Sequence, residues 1–66
     1  MNIIINHSAM EAPENATLAD VLVEHNMAGD GIAVAVDNVV VPRAKWDSTV
    51  LHENARLTVI RAVCGG

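Results

Sequence analysis

The sequence predicts an α+β domain: a mixed sheet of four to five strands with one helix packed across one face, in the order β-β-α-β-β-β. Three observations predict it. Runs of β-branched and apolar residues at the start, middle and end of the chain have the make-up of strands. One segment, opening at Thr17, carries its apolar residues at helical spacing. The 66 residues leave no room for a second core, so the helix must cover the sheet, and one helix covers one face only. The other face is left to solvent or to a partner.

Residues 1–5 form the first strand, with Ile3, Ile4 and Ile5 as its body. Asn6-His7-Ser8 is a polar break, and residues 9–12 return as a weaker second strand. Pro13-Glu14-Asn15-Ala16 is a loop. Thr17 is the clearest helix start: a capping residue with Asp20 three positions on, where a carboxylate also suits the positive end of the helix dipole. Leu18, Val21 and Leu22 then fall on one face. The helix is expected over 18–27, with Gly29 as the residue that ends it and Asp30-Gly31 as a turn. Ile32–Val36 is a strand with alanines on one face and branched residues on the other. Asp37-Asn38 suits a two-residue hairpin turn, and Val39–Val41 is the return strand, ended by Pro42. Residues 43–49 read as irregular, with a single helical turn near Trp46, the one aromatic residue, which is expected to cap one end of the core. Arg43 reads as a surface or loop-anchoring residue. Residues 56–63 are the last strand, with Leu57 and Val59 on one face and Thr58, Ile60 and Ala62 on the other. The domain is therefore expected over 1–63, with Cys64-Gly65-Gly66 as a flexible tail.

Composition excludes several functions. A formal charge of −4 and a lone aromatic disfavour nucleic-acid binding, which needs a basic face and stacking rings. No apolar run approaches the roughly 20 residues of a membrane span. Met1-Asn2-Ile3-Ile4-Ile5-Asn6 lacks the positive start and apolar stretch of a signal peptide, and one cysteine makes no internal disulfide. A cytoplasmic protein is expected. An apolar fraction of 52% in so short a chain implies apolar surface meant for another protein.

Conventional catalytic patterns are missing. His7, His25 and His52 lie in separate elements without metal-ligand spacing, and the carboxylates are scattered. No phosphate-binding glycine loop or serine-nucleophile motif occurs. What remains is the chain end. Two terminal glycines arise by chance in about one chain in 200. Glycine has no Cβ, so a Gly-Gly segment can thread a narrow channel. Residues 63–66 reach about 13 Å when extended. A carboxylate so presented is a poor electrophile until ATP adenylates it; a sulfur nucleophile can then attack and leave a thiocarboxylate. A frayed, idle tail is the alternative.

The sequence resembles the ubiquitin-like sulfur carriers of thiamin biosynthesis, the ThiS family, over essentially its whole length. The carrying segments are Ala16-Thr17-Leu18-Ala19-Asp20-Val21-Leu22, Ile32-Ala33-Val34-Ala35-Val36-Asp37-Asn38, Val41-Pro42-Arg43-Ala44-Lys45-Trp46, residues 51–60 and the closing Gly65-Gly66. The Val-Pro-Arg-x-x-Trp segment together with a terminal Gly-Gly is specific to the family; Gly-Gly alone is not. The resemblance implies a β-grasp fold and a protein that is not an enzyme and binds no cofactor of its own. It implies that a ThiF-like adenylyltransferase uses ATP to activate the carboxylate of Gly66. A cysteine desulfurase or rhodanese-type donor then supplies sulfur, and a ThiG-like thiazole synthase consumes the thiocarboxylate.

Two departures stand out. Glu53-Asn54-Ala55 replaces the family's usual Gly-Asp turn. Cys64 stands where Gly, Ala or Gln is usual, either as a tolerated small residue or as a thiol that pairs with a partner cysteine or competes for the activated acyl group. Ile4, Ile60, Ala62 and Val63 are the candidate docking residues for the activating enzyme; ordinary half-buried sheet positions are the alternative. Two other functions fit the same tail: a carrier for another sulfur acceptor, such as the small subunit of molybdopterin synthase or a carrier for tRNA or amino-acid sulfuration, and a β-grasp interaction module whose Gly-Gly is idle.

Overall fold

A computed structural model describes residues 1–61. Five strands and one α-helix form in the predicted order: β1 (Asn2–Ile5), β2 (Ser8–Glu11), α1 (Leu18–Glu24), β3 (Ile32–Val36), β4 (Val39–Val41) and β5 (Ala55–Arg61). They build one mixed sheet in the order β2-β1-β5-β3-β4. β1 runs parallel to β5, with Ile3 opposite Ala55 and Ile5 opposite Leu57, and the other pairs are antiparallel. The last strand in sequence is thus the central strand in space. The expected final residues of that strand, Ala62 and Val63, lie outside the described residues, as do Cys64, Gly65 and Gly66.

Alternation along the strands sorts the residues by face. Ile3 and Ile5, Val34, and Ala55 and Leu57 point to one side and are buried there. Leu18, Val21 and Leu22 of α1 close over them, one helical stripe against one sheet face. Ile3, Ile5, Leu18, Leu22 and Leu57 are fully enclosed. Each such side chain contributes about 1.5–3 kcal/mol through removal from water.

The helix starts where the sequence places it. Thr17 Oγ1 accepts from Asp20 N–H at 3.1 Å, and Asp20 Oδ2 accepts from Thr17 N–H at 3.1 Å, a complete capping box. It ends sooner than expected, at Glu24 and not at residue 27. The terminator is Asn26, with φ 57°, and not Gly29. Asn26 N–H donates to Val23 O at 3.2 Å and Met27 N–H to Leu22 O at 2.7 Å. That pair of bonds is a Schellman motif, and asparagine is the residue after glycine that best tolerates the left-handed backbone it requires.

Residues Arg43–Ser48 form a 3-10 helix, more regular than the single turn expected. It sets Trp46 into the core, where the indole is 4% exposed and Nε1 donates to Val41 O at 3.0 Å. The following segment is tied to the helix start, as Leu51 N–H donates to Ala16 O at 2.9 Å and Leu18 N–H to Thr49 O at 2.8 Å.

Candidate functional site

Among the described residues no helix lies over the sheet face opposite α1. Ile4, Ala9, Ala33, Ala35, Val40 and Ile60 fall on this outer face, because each is paired across the strands with another of them or lies one residue from a buried position. Ile4 is half-buried, Ile60 is 58% exposed and Val40 is 72% exposed. Arg56 and Thr58 complete the β5 row between Ile4 and Ile60. The structure therefore brings two of the sequence-derived docking candidates, Ile4 and Ile60, onto one face. Sequence reasoning missed Val40. Its signal was present, since Val40 is the outward member of a three-valine strand.

Charge is unevenly placed around this frame. The groove between α1 and the preceding loop is lined by Glu11, Glu14, Asp20, Glu24 and Asp47. The outer sheet face carries Arg56 near its centre.

Two further clusters were not foreseen. The Asn6 amide substitutes for a strand: Oδ1 accepts from Val59 N–H at 2.8 Å and Nδ2 donates to Val59 O at 3.2 Å. It extends the grip on β5 two residues beyond the last β1–β5 register pair. The β3–β4 turn is pinned by its own aspartate. Asp37 Oδ1 accepts from Arg56 N–H at 3.1 Å, and Oδ2 lies 2.6 Å from His52 Nε2. His52 Nδ1 lies 2.9 Å from Glu53 O. The hydrogen bond to Asp37 raises the His52 pKa, and the same bond, helped by Arg56 N–H, lowers that of Asp37. Both side chains are exposed to solvent. Fifteen residues separate the pair, so nothing in the local sequence announces it.

Among the described residues no group of three or more His, Cys, Asp or Glu side chains could hold a metal ion, and no polar or charged side chain is buried. No helix there is long and apolar enough to cross a membrane.

A single helix laid across a five-stranded mixed sheet, with the last strand at its centre, defines a β-grasp domain. The chain belongs to the ThiS family, whose model matches residues 3–66. It is 24% identical to the sulfur carrier protein ThiS of Escherichia coli (strain K12), over all of both chains. Its fold matches the crystal structure of a thiamine biosynthesis protein (ThiS) from Geobacter metallireducens, with a TM-score of 0.85, 19% identity and complete coverage of both chains.

Proposed function

We propose that this protein is a sulfur carrier whose working group is the carboxylate of Gly66. A ThiF-like adenylyltransferase transfers AMP from ATP to that carboxylate and releases pyrophosphate. A cysteine desulfurase or rhodanese-type donor then supplies sulfur as an enzyme persulfide, whose terminal sulfur displaces AMP to give an acyl disulfide. A thiol attacks the donor-side sulfur of that disulfide, forms a new disulfide with the donor and releases the thiocarboxylate. A ThiG-like thiazole synthase takes the sulfur into the thiazole ring of thiamin, returning the carboxylate. Glycine at this position leaves the acyl carbon unhindered on both sides. The body does no chemistry; its outer strip, with Ile4 and Ile60, is where the activating enzyme docks, and Ala62 and Val63 are further candidates for that contact.

The observation that supports this reading best is that the family match runs through Gly66. The relative from Escherichia coli bears the name of a sulfur carrier and aligns to its last residue. The test is ATP–pyrophosphate exchange catalysed by a ThiF-like enzyme. Exchange is expected with the full chain and not with a chain lacking Gly66. Exchange that survives the deletion contradicts the reading. Supplying the thiocarboxylate form to a thiazole synthase, and separately to a molybdopterin synthase large subunit, then assigns the acceptor.

A further inference from the structure

We propose that Arg43 is a positioning residue that fixes the outgoing end of β5 through the loop between α1 and β3. Its first test is independent of the carrier reading, and its second rests on that reading.

Arg43 follows Pro42 at the end of β4. Its guanidinium donates from Nη1 to Ala28 O at 3.0 Å and from Nη2 to Gly29 O at 2.5 Å. It also lies 4.4 Å from the centroid of the Trp46 ring. Trp46 is itself immobilised by burial and by its bond to Val41 O. A planar fork on two successive carbonyls fixes the direction of a loop as well as its distance. Among the described residues these are the hydrogen bonds that residues 28–31 make outside helices and strands.

The loop matters because of what it delivers. It turns at Gly31, with φ 77°, into Ile32, which lies opposite Arg61, and Ala33 lies opposite Ile60. On the other flank β1 has ended. Its last register partner is Leu57, and the Asn6 amide reaches no further than Val59. Among the described residues, the last two of β5 are therefore held from the β3 side alone. The position of Ile32 sets the direction of β5 at Arg61, its last described residue, and Arg43 holds the loop that sets Ile32. On the carrier reading this fixes the base from which the tail is presented, and misplacing a reacting group by about 1 Å can cost up to about 100-fold in rate.

Two variants of the full chain test this, Arg43→Gln and Arg43→Lys; lysine keeps the charge and loses the fork. Amide hydrogen exchange comes first. In both variants the Ala33 and Ile60 amides should exchange about tenfold faster, while those of Ile5 and Leu57 stay protected, the signature of local opening. Equal acceleration along the whole sheet, or none at Ala33 and Ile60, overturns the proposal. Adenylation kinetics with a ThiF-like enzyme come second. Both variants should lose about tenfold in kcat, with KM changed less than about twofold. A loss carried by KM would make Arg43 a docking contact, and full rescue by lysine would make its charge the operative property; either result overturns the proposal. Should the wild-type chain fail to be adenylated at all, the carrier reading fails and the exchange data still decide the role of Arg43.

Discussion

A left-handed backbone costs a residue with a Cβ about 1–2 kcal/mol, least for asparagine and aspartate. Among the described residues seven non-glycine positions adopt it: Asn6, His7, Asn15, Asn26, Asp37, Asn38 and Asn54. Both two-residue hairpins, Asn6-His7 and Asp37-Asn38, have positive φ at both central residues, as the twist of the flanking strands demands. Asn26→Ala should therefore destabilise the fold by about 1 kcal/mol, while Asn26→Gly changes it by only a few tenths. In a domain of this size 1 kcal/mol lowers Tm by roughly 4–8 °C, which thermal melts resolve. Asp37 and His52 make the second prediction. The raised His52 pKa means that its contribution is complete below the unfolded value of 6.5 and is lost as pH rises through the higher folded value. The lowered Asp37 pKa means that its contribution is present above 3.8 and is lost as pH falls through the lower folded value. Melts taken from pH 6.5 upward should show Tm falling for the wild-type chain and a shallower fall for His52→Gln. An NMR titration placing the His52 pKa at or below 6.5 would contradict this.

At the scale of elements, the capping box and the apolar stripe of α1 carry separate loads. Thr17→Ala removes one bond at an exposed helix end and should cost about 1 kcal/mol. Leu22→Ala empties a fully buried site and should cost about 2–5 kcal/mol. Denaturant melts that ranked the two the other way would contradict the packing described here. These elements were legible because each is specified locally. Thr17 and Asp20 stand three residues apart, Asp37-Asn38 sits between two apolar runs, and Pro42 marks the end of β4. The end of α1 was not legible, since both Asn26 and Gly29 can stop a helix and the choice belongs to how Met27 packs against the core. The full 3-10 helix was missed because its order comes from the burial of Trp46, a tertiary effect. The site divides the same way. Strand alternation placed Ile4 and Ile60 on one face, but the contacts of Asn6 with Val59, Asp37 with His52 and Arg43 with Ala28 and Gly29 join distant parts of the chain.

For the molecule as a whole, the proposed carrier reading puts stability and activity on different parts of the chain. Among the described residues the buried core ends at Leu57, so deleting Gly66 should leave the melting curve unchanged and abolish activation by a ThiF-like enzyme. Ile60→Asp places a carboxylate on the exposed outer strip and should raise KM for that enzyme with little change in Tm; an unchanged KM would remove Ile60 from the docking surface. The most direct measurement is the intact mass of the full chain after incubation with ATP, a ThiF-like enzyme and a sulfur donor. The account predicts the mass gain of one sulfur replacing one oxygen, located by fragmentation at Gly66 and absent from the chain that lacks it. An unchanged mass in a reaction where the Escherichia coli ThiS protein is converted, or sulfur found on the chain lacking Gly66, would contradict it.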